Sequence, residues 1–234
     1  MAFWPTVEHW SVRIPFHTPH PRLGELAKTG LVMLSDDLPR VEAGQYRGLT
    51  YLDWKSGGET KFAPLASADG QLDTRGFWDT GRPDKDGIWT SNVEKAPGFR
   101  TYVEQIGANF GRVRVFRLEP QDRDQALRSV HRNDNNRFNP NDKGWVVRLY
   151  THLTNNPGSY LLTLESGPDG TPDPTTERRV PLHLGARYVI DDQRLWNVIV
   201  HPGPEPLYAL VAPRLDKGPS SQAKQQSPAG RFRV

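Results

Sequence analysis

GWVVRLYTHLTNNPGSYLLTL, residues 144–164, is the stretch that decides the fold. Residues 146–150 and 160–164 are dense in the β-branched, aromatic and leucine side chains that are typical of strands. The sequence NNPG at 155–158 lies between them and is a turn signal. We therefore predict two strands that are joined as a hairpin.

The same β-type pattern continues on both sides of this stretch. In RVRVFRL (112–118), apolar residues interleave with arginines, which predicts a strand with two different faces. Further strands are predicted at 180–182, 187–190, 196–200 and 207–211, with glycine- and proline-rich connections between them. Many short strands with such turns favour a mainly β protein, either a sandwich or a jelly roll.

Three regions follow from this pattern. Residues 1–110 are interpreted as an N-terminal helical and irregular elaboration packed on the barrel, with helices predicted within 23–38 and 93–110. Residues 111–215 form the barrel itself. Residues 216–234 are rich in Ser, Gln, Pro, Gly and Lys, so we expect a disordered tail.

Composition excludes several classes of function. The net charge is only +3, and basic and acidic residues are mixed throughout, so no nucleic-acid partner is expected. No apolar run reaches the roughly 18 residues that a membrane span needs, so no membrane partner is expected either. The chain has no cysteine and its first residues, MAFWPTVEHW, lack the pattern of a signal peptide. We expect a cytoplasmic protein.

Five phrases carry a resemblance to a known family. They are, in order, RVRVFRLEP (112–120), SVHRNDNNRF (129–138), GWVVRLYTHLTNNP (144–157), VPLHLGARYVIDDQRLWNVIVHPGPEP (180–206) and LYALVAP (207–213). Their order and spacing resemble the aspartyl/asparaginyl β-hydroxylase-like family of iron(II)- and 2-oxoglutarate-dependent oxygenases. In that family a His-x-Asp motif and a distal His hold the iron, and an Arg about ten residues later binds 2-oxoglutarate. The resemblance implies a double-stranded β-helix, which is a cupin-like jelly roll.

The reactive positions of that family are largely substituted in this chain. The resemblance places the proximal His at His131, but Asn133 stands at the Asp position and Asn197 at the distal His position. Leu207 stands at the Arg position. Two amides and one imidazole are a poor ligand set for iron(II), and leucine cannot pair with a buried carboxylate. If a metal is bound, the pair that remains is His131 with Asp134, which would need a bulge to share a face.

Other polar residues are candidates for ligand binding. Arg148 on the central strand matches an arginine that the family carries there, and Arg114 and Arg117 match a pair on its first strand. Structural ion pairs are an equal explanation for these arginines. The remaining candidates are weighed against roles in a turn or in the core: Asn135, Arg137 and Trp196.

Three functions are compatible with this pattern, and the sequence leaves open whether the chain is an enzyme. The leading hypothesis is a metal-independent descendant of an oxygenase that binds a small, possibly amino-acid-derived, organic molecule. It would catalyse a cyclisation, isomerisation or elimination, with His131 as acid or base and Asn133 and Asn197 as hydrogen-bonding groups. No cofactor is expected in that case.

The second hypothesis is a non-catalytic pseudo-oxygenase that associates with an active paralogue, or with itself as a homo-oligomer. The third is a working hydroxylase of amino acids or peptides with relocated ligands, which would use iron(II) and 2-oxoglutarate.

Overall fold

The computed structural model describes the following parts of the chain: residues 26, 28–33, 44–54, 59–73, 75, 77–80, 87–105, 111–133 and 145–216. They form two antiparallel sheets with short helices on their outer faces. The strands are β1 (Leu31–Met33), β2 (Leu52–Asp53), β3 (Thr60–Ser67), β4 (Ile88–Trp89), β5 (Val113–Leu118), β6 (Trp145–His152), β7 (Tyr160–Leu164), β8 (Arg178–Pro181), β9 (Arg187–Ile190), β10 (Trp196–Val200) and β11 (Leu207–Asp216). The α-helices are α1 (Ser91–Lys95), α2 (Pro97–Gln105) and α3 (Arg123–Leu127).

The topology of the sheets is that of a double-stranded β-helix. The centre of the large sheet has the order β9-β6-β11-β5, and the small sheet has the order β10-β7-β8. Residue 131 adds a further bridge at the edge of β10. From β5 onward the chain therefore moves repeatedly from one sheet to the other, which is the connection pattern of a jelly roll. The predicted fold class is confirmed.

The N-terminal region contributes strands to the large sheet. β3 pairs with β5 at one edge, and β1 pairs with β9 at the other. The stretch 40–100 that reads as irregular therefore contains an eight-residue strand, β3. The short helix predicted within 23–38 is represented by the helical residues 26, 28 and 29, and β1 at 31–33 follows directly after Gly30 with its positive φ of 72°. Residues 217–234, where a disordered tail is predicted, lie outside the described residues.

The predicted hairpin at 144–164 is also wrong, although both of its strands exist. β6 pairs with β11 and β9 in the large sheet, whereas β7 pairs with β10 and β8 in the small sheet. The turn at 155–158 therefore joins two sheets instead of closing a hairpin. Strand composition cannot distinguish these cases, because a turn residue fixes the local reversal and not the pairing partner.

Alternate side chains of β5 point to opposite faces of the large sheet and pack against different layers of the protein. Val113 and Val115 belong to a buried cluster with the helix residues Phe99 and Tyr102 on the outer face of the large sheet. The next residue, Phe116, belongs to a second cluster between the two sheets. A third cluster joins α3 to the outer face of the small sheet. Among the described residues, no helix is long and apolar enough to cross a membrane.

Candidate functional site

The first two site residues predicted from the sequence lie side by side at one end of the barrel. His131 and Asn197 form an antiparallel bridge in which Asn197 N donates to His131 O over 2.9 Å and His131 N donates to Asn197 O over 3.3 Å. Directly paired residues present their side chains on the same face of a sheet. Neighbouring Trp196 and Val198 pack on the outer face with α3, so Asn197 and His131 lie on the inner face.

The segment that carries His131 is anchored by α3. Asp122 caps this helix through a capping box: its side chain accepts a hydrogen bond from Gln125 N, and the Gln125 side chain bonds back to Asp122 N. Ser129 then bonds to Ala126 O through both its backbone N and its hydroxyl group. These bonds fix the C-terminal end of α3, and His131 therefore lies in a defined position at the edge of β10.

The imidazole of His131 is exposed and has a defined tautomer. Its Nδ1 lies 2.9 Å from the backbone oxygen of Ser129. A carbonyl oxygen only accepts hydrogen bonds, so Nδ1 carries the proton. In the neutral ring, Nε2 is then the nitrogen that accepts a proton or a hydrogen bond. This is the form that a general base requires.

Asn133 is bonded to a buried carboxylate that no sequence motif indicates. Its side-chain nitrogen donates to Asp192 Oδ2 over 2.8 Å, and its backbone N donates to Asp192 O over 2.7 Å. Asp192 has no exposed surface. Burial raises the pKa of Asp192, whereas Arg148, the Asn133 amide, His131 and Arg112 act in the opposite direction. Asp192 therefore lies within electrostatic range of two guanidinium groups and the candidate imidazole.

Asn197 uses its side chain to fix the local backbone. Its Nδ2 lies 3.2 Å from His131 O and 3.3 Å from Leu195 O. The residue is only 5% exposed. Its amide group thus fastens β10 to the His131 segment, and its donor group is already engaged.

Arg148 lies in the interior of the barrel. It is 3% exposed and stands on β6, two residues before Tyr150 on the same face. Burial and then Asp192 raise the pKa of Tyr150 to about 12, while Arg148, Arg114 and Arg112 oppose that shift. Arg148 and Arg112 therefore lie near both Tyr150 and Asp192, whereas Arg114 lies near Tyr150; Arg112 was not among the residues predicted from the sequence.

The two arginines predicted together on the first strand lie on opposite faces. Arg114 faces inward, with its guanidinium carbon 4.1 Å from the ring centre of Phe62 and 5.3 Å from that of Trp54. Arg117, three residues later, forms a 2.7 Å ion pair with Glu119. It lies on the face that carries Val113 and Val115, because residues an odd number apart on a strand alternate. Arg117 is therefore not adjacent to Arg148.

Trp196 likewise lies outside the barrel. Its ring packs on the outer cluster of the small sheet, with the guanidinium carbon of Arg132 4.7 Å from the ring centre. Its Nε1 donates to Ser166 Oγ over 3.1 Å. The predictions for Asp134, Asn135 and Arg137 fall outside the described residues.

A small recess adjoins the inward arginines at the edge of the barrel. It lies between the inner face of β3 and β5 and the loop that follows β3, and its lining includes Phe62, Ser67, Arg112 and Arg114. Arg75 also lines it and is paired with Asp69 and Asp73, each at 2.6 Å. The recess therefore combines an aromatic wall with positive charge.

Among the described residues, the side chains at the expected positions fit iron(II) and 2-oxoglutarate poorly. The amide nitrogens of Asn133 and Asn197 are engaged by Asp192 and by backbone oxygens. Leu207 has no exposed surface and packs with Phe116 in the apolar cluster between the sheets. Within the described part of the chain, no three His, Cys, Asp or Glu side chains converge as a metal site would require. One imidazole and two neutral amides are a weak ligand set for iron(II), and leucine offers no cation to 2-oxoglutarate, whereas Asp134 lies outside the described residues.

Comparison with known proteins gives structural neighbours only. No family model and no curated protein matches the sequence. Solved structures that resemble the chain include an oxidoreductase of the 2OG-Fe(II) oxygenase family from Burkholderia pseudomallei, with a TM-score of 0.45 and 12% identity over 88% of this chain and 96% of that one. A prolyl hydroxylase from Trichoplax adhaerens, in complex with a hypoxia inducible factor peptide, has a TM-score of 0.43 and 13% identity over 88% and 91%.

A third neighbour is the non-heme α-ketoglutarate-dependent epimerase SnoN from nogalamycin biosynthesis. Its TM-score is 0.42, with 14% identity over 90% of this chain and 89% of that one. The structural neighbours are thus members of the iron(II)/2-oxoglutarate oxygenase family. At these identities the chemistry of the site has to be argued from its own residues.

Proposed function

We propose that this protein is a metal-independent descendant of the 2-oxoglutarate oxygenases, of the aspartyl/asparaginyl β-hydroxylase-like type, that binds a small organic molecule in its barrel. The observation that carries the proposal is the hydrogen bond from Asn133 to the buried Asp192. It commits the residue at the expected carboxylate position to the protein's own structure. Leu207 in the apolar cluster supports the same conclusion for the 2-oxoglutarate position.

The chemistry left to such a site is binding and proton transfer. Arg148, Arg112 and Arg114 supply positive charge that favours an anionic group of the ligand, such as a carboxylate. His131 supplies Nε2, which accepts a proton from the ligand and returns it at another atom. A proton shift of this kind serves an isomerisation, a cyclisation or an elimination and needs no oxidant.

The first experiment is anaerobic calorimetry of metal-stripped protein with iron(II), in the presence and absence of 2-oxoglutarate. We expect that neither iron(II) nor 2-oxoglutarate increases the affinity of the protein for the other. Tight, mutually dependent binding would show a working oxygenase with relocated ligands and would overturn the proposal.

The second experiment tests the ligand pocket directly. Small carboxylates are titrated into protein labelled with ¹⁵N, and their dissociation constants are compared for wild type, Arg148→Gln and Arg148→Lys. We expect the glutamine variant to lose most of its affinity for the carboxylates. The lysine variant should retain part of it, because lysine keeps the positive charge but lacks the planar guanidinium group that can form two parallel hydrogen bonds. Equal affinity in all three proteins would contradict a role for Arg148 in binding.

A further inference from the structure

The hydrogen bonds of His131 and Asn133 within the protein determine which of their side-chain atoms donate and which accept. His131 donates Nδ1–H to Ser129 O, which leaves Nε2 as an acceptor in the neutral ring. Asn133 donates its side-chain N–H to Asp192 Oδ2. An amide has its donors on nitrogen and its acceptors on oxygen, so directing Nδ2 inward turns Oδ1 the other way.

The two acceptors belong to one face of the same short segment. His131 and Asn133 are separated by one residue in extended backbone, and residues at that spacing point to the same side. Arg132 between them points to the opposite side, where it covers Trp196. At this end of the barrel, which we call the mouth, His131 and Asn133 therefore share a face, and each has a side-chain atom that accepts hydrogen bonds, Nε2 and Oδ1.

Asp192 determines this orientation without reaching solvent. It has no exposed surface, so it acts through Asn133 and does not itself touch a ligand. Its carboxylate only accepts hydrogen bonds when ionised, and it accepts from Asn133 at 2.8 Å. The second bond, from Asn133 N to Asp192 O at 2.7 Å, holds the two residues in register. The Asn133 nitrogen therefore stays directed at Asp192 while the carboxylate is in place, and Oδ1 is the side-chain atom that accepts hydrogen bonds.

We infer that Asp192 is a positioning residue that fixes the mouth of the barrel as an acceptor pair, so that the reacting end of the ligand bears N–H or O–H donors. This inference rests on the proposed function and specifies its ligand class: an anionic group on the arginine side and an amide, amine or hydroxyl group on the His131 side. A ligand with carboxylates at both ends would face two acceptor atoms at the mouth and would bind more weakly.

The test uses two probes of nearly equal shape, succinamate and succinate. They differ in one terminal group, which is an amide with N–H donors in succinamate and an acceptor-only carboxylate in succinate. Dissociation constants are measured by ¹⁵N NMR titration, with the His131 imidazole nitrogens and the Asn133 side-chain amide as reporters. We expect wild-type protein to prefer succinamate by about tenfold, from the hydrogen bonds made with one probe and the repulsion avoided.

The matched variants are Asp192→Asn and Asp191→Asn. An asparagine at 192 offers both a donor and an acceptor, so Asn133 can bond to it in either orientation and the preference should fall to near one. Asp191 is the neighbouring buried acid, and its side chain bonds to Arg194 N instead of Asn133. The Asp191 variant should retain the tenfold preference. Circular dichroism and a thermal melt establish that both variants are folded.

The outcomes separate this inference from the function on which it rests. If Arg148→Gln weakens both probes but wild type binds them equally, the ligand pocket stands and the acceptor pair is wrong. A preference that survives Asp192→Asn unchanged would equally overturn the positioning role. If neither probe gives saturable binding to wild type, the proposed function and the inference fall together. Should Asp192→Asn fail to fold, the wild-type preference and its loss in Asn133→Ala decide the question.

Discussion

Replacing Asp191 by asparagine should stabilise the protein at neutral pH. The side chain of Asp191 is 7% exposed, and burial, followed by the charge of neighbouring Asp192, raises its pKa from 3.8 to about 6. A folded-state pKa above the unfolded value means that ionisation is harder in the folded protein. This carboxyl group therefore costs nothing below pH 4, and the cost grows as the pH rises through about 6.

The magnitude follows from the size of the shift. About 2 pKa units at roughly 1.4 kcal/mol each give a cost of about 3 kcal/mol above pH 7. Asparagine removes the ionisation, and its amide oxygen can still accept the 3.3 Å bond from Arg194 N. Burying the extra NH₂ group offsets part of the gain, so we expect Asp191→Asn to add about 1–3 kcal/mol at pH 7.5 and almost nothing at pH 4.

His152 acts on the same pH range with the opposite sign. Burial, followed by His183 and His201, lowers its pKa from 6.5 to about 4. Its contribution to stability is complete above pH 6.5 and is lost as the pH falls toward 4. Between pH 4 and 6 the two groups therefore oppose each other in wild type. In Asp191→Asn the His152 effect is no longer compensated, so stability should fall more steeply on acidification than in wild type.

The assay is urea denaturation at pH 4.5, 6 and 7.5, followed by circular dichroism. Asp124→Asn is the matched control, because the Asp124 side chain is 88% exposed. We expect that control to follow wild type at every pH. An Asp191→Asn protein that is less stable than wild type at pH 7.5, or equally stabilised at all three pH values, would refute the reasoning.

Three further predictions concern the scaffold, and each is measured as a change in the free energy of unfolding. Asp122→Ala removes the capping box of α3 and should cost about 1 kcal/mol, whereas Asp122→Asn, which still accepts a hydrogen bond, should cost much less. Gly30→Ala should cost roughly 2 kcal/mol or more, because φ is +72° and the new Cβ would lie 2.6 Å from Leu195 Cδ1. Phe99→Ala should cost about 3–5 kcal/mol, because Phe99 is fully buried between α2 and the large sheet, and a cost below 1 kcal/mol would contradict that packing.

The strands of the barrel could be predicted because alternation and turn residues are local signals. The pairing partners could not, as the predicted hairpin at 144–164 shows. β3 was missed for a different reason: TKFAPLAS at 60–67 contains a proline and no clean alternation, and its pairing with β5 joins segments about fifty residues apart. β1 was not predicted, because its three apolar residues, LVM, fit the period of a helix and the period of a strand equally well.

The candidate site divides in the same way. The spacing of the motifs located His131, Asn133 and Asn197, and the structure places all three on one inner surface; their roles remain predictions. The partner of Asn133 was missed because Asp192 lies 59 residues away and directly follows a strand where an acidic pair is an ordinary turn signal. Arg117 and Trp196 face away from the site, because alternate residues of a strand point to opposite sides of the sheet. The positions of these two residues within their predicted strands already imply this.

Under the proposed descent from a metal-dependent oxygenase, the contacts of Asn133, Asn197 and Leu207 favour a reorganised site over a decayed one. In a decayed metal site, polar remnants would be left without partners, and each would cost about 1–3 kcal/mol of stability. Instead, the Asn133 amide bonds to Asp192, the Asn197 amide bonds to two backbone oxygens, and Leu207 fills the apolar core. A carboxylate restored at 133 would lie against that of Asp192, and like charges at such a distance oppose ionisation of both. The amide at 133 and the acid at 192 are therefore complementary, and this pair is the part of the site on which the proposed ligand preference depends.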